Sequence, residues 1–278
     1  MGFLILAIAS SAMISIVMRL SERFVSGKLG MLAFNYIMCF ALAAFYTGAD
    51  RLLPAEAGLP LTVGMGLAAG FLFLLGFILL QISIRRNGLV LSSVFMKLGL
   101  LVPMVLSILL FGERPNLAQT IGFLLALAAI LLINAGKDDS PSSFRLGLIL
   151  LLLAGGSGDA MSKVFEELGP AHLAEQFLFY TFASALLLCA ALMFRSRERP
   201  GVADVGFGLL IGIPNYFCSR FLLKALGTLP AVIVYPTYSV GTIAAVTLAG
   251  ICFFGERLSR RQWCAVGIIM AALVLLNL

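Results

Sequence analysis

Long apolar runs separated by short polar breaks set the pattern of this chain. Windows of about twenty residues, enough to cross a bilayer as a helix, fall at 3–20, 29–48, 61–83, 89–111, 116–135, 145–165, 172–194, 203–223, 230–254 and 260–278. Continuous apolarity of this length predicts helices, because the strands of a membrane β-barrel would alternate apolar and polar residues over short segments. The breaks leave no room for a soluble domain. An all-α integral membrane protein of ten transmembrane helices is therefore expected.

Composition agrees with the pattern. Of 278 residues, 61% are hydrophobic and 12% charged, and the mean hydropathy is +1.08, too little polar surface for a soluble domain. The net charge of +6 is carried between the apolar runs, a distribution that suits membrane orientation and not nucleic-acid binding. Cys39, Cys189, Cys218, Cys252 and Cys264 lie in apolar segments without a CxxC pair, beside a single histidine. A disulfide framework or structural zinc site is not expected, and no cofactor is called for. The apolar N-terminus lacks a basic flank and an evident cleavage site. It reads as a retained first helix, with a signal peptide as the alternative.

The chain repeats itself. The segment FGERPNLAQTIGFLLALAAILLIN (111–134) returns as FGERLSRRQWCAVGIIMAALVLLN (254–277), with Gln119 matched to Gln262. Near the start of each half, Ser15 aligns with Asp159, Arg19 with Lys163, Glu22 with Glu166 and Tyr36 with Tyr180. Two units follow, 1–136 and 144–278. Five helices per unit is an odd number, so the second unit inserts upside down, as in the inverted repeats of many secondary transporters.

Two five-helix units, each closing on G-E-R-x(4)-Q before a Gly/Ala-rich helix, resemble the EamA-like branch of the drug/metabolite transporter superfamily over the whole chain. The resemblance implies two inverted repeats around a central cavity, lined mainly by helices 1, 3, 4, 6, 8 and 9 and opening alternately to each side. It leaves the substrate open among amino acids, sugar phosphates, nucleotide sugars, choline and drugs.

Within this frame a few polar residues stand at membrane depth. Lys97, in the fourth window, has no other charge within ten residues. An unpaired lysine there costs roughly 2.5–3.5 kcal/mol on insertion scales, so it should face a wet cavity or the bundle interior. It reads as an anion-binding residue, with Ser93 one turn before it on the same face; the alternatives are an ion pair to another helix, or snorkelling. The resemblance adds that phosphate-carrying relatives use a lysine on this helix. Ser11, Ser15, Arg19 and Glu22 form one helical stripe, and Gly155, Asp159, Lys163 and Glu166 another. Asp159, the deeper carboxylate, is the candidate for proton coupling, against a plain salt bridge to Lys163. Asn215, Arg220, Tyr235 and Tyr238 are further substrate contacts, against interhelical or interfacial roles. Pro103, Pro214 and Pro236 are candidate flex points. His172 and Glu175 read as loop and solvated-surface residues, and Glu113 and Glu256 as structural carboxylates at helix starts.

These features predict a secondary transporter of the cytoplasmic membrane, moving a small polar metabolite with an anionic group by alternating access, with proton coupling. A flippase of lipid headgroups or lipid-linked intermediates is the rival. A membrane enzyme is disfavoured by the lack of HExxH, GxSxG or a histidine cluster, and a channel by the lack of a filter or charged ring. The expected partners are the bilayer and the small-molecule substrate, with no nucleic acid; the chain reads as a monomer, with a homodimer as the alternative. Thirteen of the nineteen Lys and Arg residues lie in or beside the loops after windows 1, 3, 5, 7 and 9. By the positive-inside rule those loops are cytoplasmic and both termini lie outside, the reverse of the usual drawing for ten-helix relatives. A reporter fused after Leu278 is expected to read as extracytoplasmic, and one inserted at Arg197 as cytoplasmic. The opposite pattern would overturn the assignment.

Overall fold

The computed structural model describes the chain apart from residues 26, 49–50, 53–55, 57, 103–115, 135–144, 198, 227, 229–230 and 276–278. The described residues form helices and turns, with no strand among them. The helices are α1 (Gly2–Ser21), α2 (Lys28–Thr47), α3 (Leu59–Asn87), α4 (Leu89–Lys97), α5 (Leu117–Asn134), α6 (Arg145–Leu168), α7 (Ala174–Ser196), α8 (Val202–Leu226), α9 (Ala231–Phe254) and α10 (Arg260–Leu275). Each falls on one of the ten apolar windows. Among the described residues, six helical segments, within α1, α2, α3, α7 (with the turn before it), α8 and α9, are long and apolar enough to cross a membrane. In the fourth window, α4 tightens at Lys97 into a 3-10 turn, Leu98–Leu100; Pro103 lies outside the described residues.

Helix pairing has a regular form. α2 packs on α8 as α7 packs on α3, α1 on α8 as α6 on α3, and α1 on α9 as α6 on α4. α2 meets α7, α4 meets α9, and α5 meets α10. Each of these contacts maps onto another, or onto itself, when helix n is exchanged for helix n+5. Lipid supplies no hydrophobic drive between helices, so close backbone approach has to hold them. Gly208 and Gly212 accordingly sit against the α2 backbone at Met31 and Asn35, and Gly66 and Gly70 against α7 at Phe177 and Thr181.

The tightest crossing lies in the middle of the bundle. A Cβ at Gly156 would meet the Gly99 carbonyl and the Val102 side chain, and one at Gly99 would come within 2.6 Å of the Gly156 amide. The glycines following α6's apolar first half thus serve close packing, and the crossing brings the end of α4, with Lys97, beside Asp159 on α6.

The repeated G-E-R-x(4)-Q motif divides its work between two helices. Gln119 and Gln262 each close a capping box: Asn116 and Ser259 N–H donate to the glutamine side chains (3.0 and 2.8 Å), and the glutamine N–H groups donate back to Asn116 and Ser259. Glu256, expected to offset the dipole of the helix that follows it, instead accepts from Leu89 N–H (2.6 Å) and Val90 N–H (3.1 Å) at the start of α4. The reason is position: with the capping box at Ser259 and Gln262, Glu256 stands too far upstream to reach the α10 amides. Glu113 lies outside the described residues.

Short connections sort the helix ends onto two faces. The ends of α1, α3, α7 and α9 share one face with the starts of α2, α4, α8 and α10; Arg19, Arg85, Arg195 and Arg260 lie there. The opposite face carries Arg51, Arg220 and Lys224. The central crossing generates a direct test. Gly156→Ala is expected to destabilise the purified protein by about 1–3 kcal/mol through overpacking. Gly158→Ala, whose Cβ would meet the Phe73 ring at an ordinary 3.5 Å, should leave the melting temperature unchanged or slightly raised. Equal losses would refute the close-crossing account.

Candidate functional site: a charged cavity at the bundle centre

A cavity of about 390 Å³ lies among α1, α3, α4, α6, α7, α8 and α9. It occupies the half of the bundle toward the charge-poor face. Its lining follows α6 to Phe165, α8 to Leu223 and the start of α7 to Ala174, with exposed Ala171 at its rim. Toward the charge-rich face it ends on α1 at Ser15 and on α4 at Ser93.

The walls are mostly apolar and the polar groups few. α3 contributes one apolar face, including Phe73, Phe77 and Leu80, and α7 contributes Phe177 and Leu178. Lys97, Ser93, Ser15, Asn215, Tyr238 and Asp159 all line the space, so six of the residues singled out in the sequence converge. The Lys97 ammonium sits 3.8 Å from the centre of the Tyr238 ring, a cation–π contact that spreads its charge. Lys97 and Asp159 act on each other electrostatically, yet among the described residues neither is held in a salt bridge. The side chain of Lys163, the alternative partner of Asp159, lies outside the described residues. Among the described residues, the buried Ser93 and Thr242 hydroxyls have no hydrogen-bond partner.

Other residues complete the wall. The Asn215 side-chain amide donates to Asn35 Oδ1 on α2 (3.2 Å), so this residue both joins helices and faces the cavity. Cys218 Sγ lies 3.0 Å from the Tyr238 hydroxyl. Cys218 and the particular α3 residues escaped the sequence reading, although the resemblance implied that the third helix lines the cavity. A cysteine among apolar residues carries no signal, and Leu72, Phe73, Gly76, Phe77 and Leu80 repeat with helical period inside a helix that is apolar all round. Thr242, one turn beyond Tyr238, also lines the cavity; the side chain of Tyr235 lies outside the described residues.

Comparisons with known proteins sharpen the picture. Residues 144–278 match the EamA-like transporter family. An uncharacterized protein of Haemophilus influenzae is 27% identical over 201 residues, covering 70% of this chain and 68% of its own. The uncharacterized inner membrane transporter YedA of Escherichia coli is 26% identical over 181 residues, 61% of this chain and 56% of its own length. The second half of the chain is thus similar to the EamA-like transporter family. A solved crystal structure superposes with a TM-score of 0.64 at 15% identity, covering 99% of this chain and 96% of the other; at that identity the likeness is one of fold. The six membrane-length apolar helices among the described residues agree with a multi-pass membrane protein similar to transporters of the bacterial inner membrane.

Arg220, expected as a second cationic substrate contact, does not line the cavity. It forms a two-point pair with Glu175 (3.1 Å on each branch), donates to the Tyr216 hydroxyl (2.6 Å) and stacks 3.9 Å over Tyr46. The group ties α2, α7 and α8 at the charge-poor face, and Glu175 is its acceptor, not free surface. Nearby, His172 meets Glu56 at 2.5 Å. An arginine two turns from a helix end reads alike in sequence whether it faces a ligand or a carboxylate on another helix. Arg220→Gln is expected to lower stability by about 1 kcal/mol, the scale of a partly exposed pair. It should leave ligand affinity within about twofold, because a side chain outside the cavity makes no ligand contact to lose. A selective loss of ligand binding at unchanged melting temperature would return Arg220 to the site.

Proposed function

We propose that this chain is a secondary active transporter whose substrate is a small metabolite with an anionic group, held by Lys97 in the central cavity. One observation carries the reading: Lys97 faces a cavity at membrane depth with its charge shared by an aromatic ring and, among the described residues, not cancelled by a salt bridge. Ser93 and Thr242, buried without partners among the described residues, offer hydrogen bonds to the same guest. Asp159 supplies an acceptor for a substrate amine or a site for a coupling proton, so amino acids and other small zwitterions suit the pocket as well as simple organic acids and phosphorylated metabolites. The volume lies near the lower end of small-molecule pockets, about 300–1,000 Å³. That size favours a compact metabolite over the lipid-linked cargo of a flippase.

Alternating access would come from the two halves. The exchange of helix n for n+5 in the pairing supports an inverted repeat, in which one half rocks against the other around a fixed site. The cavity lies toward the charge-poor face. With the charge-rich loops cytoplasmic, this would be an outward-facing arrangement. Pro214, inside α8 beside Asn215, and the tightened turn at Lys97 are the candidate flex points.

Two substitutions test the site. Lys97→Met keeps the stem and removes the charge, so the protein should stay folded, with an equal or higher melting temperature. It should lose thermal stabilisation by ligands bearing carboxylate or phosphate, while neutral analogues keep theirs. Asp159→Asn should preserve exchange of the identified ligand across proteoliposomes but abolish its accumulation down a pH gradient. A destabilised Lys97→Met that still binds anionic ligands, or full uphill uptake by Asp159→Asn, would defeat the corresponding assignment.

A further inference from the structure

The glutamate of the repeated G-E-R motif takes no part in the site described so far, yet in the second half it is tied to the helix that carries Lys97. Both Glu256 carboxylate oxygens accept from the first amides of α4, Leu89 N–H at 2.6 Å and Val90 N–H at 3.1 Å. Those amides have no partner within the helix, and they stand at its positive end, where a carboxylate binds most strongly. The glutamate is itself fixed: its N–H donates to the Gly250 carbonyl (3.0 Å), and Gly255 turns the chain with φ +61°. The fit leaves little room. A Cβ on Gly88 would stand 3.1 Å from Glu256 Oε1, and one on Gly250 would stand 2.7 Å from Val90 Cγ2. Gly88, at φ +84°, is also the sharp turn from α3 into α4 and suits glycine on both counts.

Arg19 joins the same knot from α1. Its Nε lies 3.8 Å from Glu256 Oε1, and its Nη1 donates to Glu22 and to the Ile84 carbonyl (3.3 Å) on α3. Burial pushes the Glu22 carboxyl up against the pull of Arg19. Four elements therefore converge at the charge-rich face, directly above the end of the cavity.

We propose that Glu256 is a positioning residue of the transport cycle: it pins the start of α4, and so Ser93 and Lys97 one and two turns on, to the end of α9, and with Arg19 it closes the charge-rich face. This rests on the alternating-access reading above. Because α4 gives way to a 3-10 turn at Lys97, its firm anchor is this first turn. The helices that meet here must part for the cavity to reach the charge-rich face, and the Glu256 link is the contact that breaks.

Cys218 in the cavity wall is a built-in reporter that needs no substrate. In a Cys252→Ser, Cys264→Ser background, which removes the exposed thiols, a membrane-impermeant charged thiol reagent would be applied to proteoliposomes of each orientation. Labelling of Cys218 is expected from the charge-poor face. From the charge-rich face, Glu256→Gln should raise the rate about tenfold, the size of a modest population shift. Arg19→Gln should shift it in the same direction by less, and Glu256→Asp, which keeps the charge, should stay nearer the parent. Labelling of Glu256→Gln identical to the parent from both faces would overturn the proposal. If that variant fails to fold, hydrogen exchange on the parent decides: the Leu89 and Val90 amides should exchange as slowly as the interior of α3, and rapid exchange would overturn the pin. Since the reagent reports access alone, a failed Lys97 assignment leaves this test intact, and a failed pin leaves the substrate assignment intact.

Discussion

A charge at the depth of Lys97 has no water from the lipid side, so every part of the fold around it is arranged to give it a wet or polarizable surrounding. The Gly99–Gly156 crossing is the mechanical condition for this. Without a side chain at either position the α4 turn and α6 approach backbone to backbone, and Lys97 and Asp159 come to line one space. The Tyr238 ring then takes up the ammonium from the α9 side. A cation–π contact lowers the cost of the charge without cancelling it, which leaves the lysine able to bind an anion.

The contrast with the two membrane faces makes that point stronger. Toward each face some charged groups are matched within the protein: Arg220 with Glu175 at one, Arg19 with Glu22 and Glu256 at the other. Removing one member of such a pair strands the other, so these groups are bound to structure. In the centre, among the described residues, neither Lys97 nor Asp159 is in a salt bridge. On the proposed function, this open pair is where the charges of a substrate would complete the match.

Much of this was legible in the sequence, for identifiable reasons. The helices were legible because a bilayer demands long apolar runs, and the central residues because a polar group at membrane depth is expensive and therefore sparse: Lys97 stood alone in its apolar run, and Asp159, Asn215 and Tyr238 stood in short polar stripes within theirs. What could not be read were partners. Arg220 and Glu175 are 45 positions apart and Glu256 and Leu89 are 167 apart, and no local periodicity reports which carboxylate meets which donor. The apolar share of the wall was equally silent, because a phenylalanine facing the cavity and one facing lipid leave the same mark. The repeated motif misled in one respect only: its glutamine serves the next helix, whereas its glutamate in the second half serves another.

The two halves are alike in frame and unlike in charge, and the division makes physical sense. Ser15 and Asp159 occupy matching places in the repeat and both line the cavity, but one is a hydroxyl and the other a carboxylate. Lys97 has Val240 at the corresponding shift of 143. If the halves rock as proposed, equal frames would allow two arrangements of similar energy. Equal chemistry would serve it badly, since two lysines and two carboxylates in one small cavity would either neutralise one another or add a large desolvation cost. On the proposed function, one ammonium and one carboxylate in a common cavity would give a guest a single pair of binding charges to meet from either side.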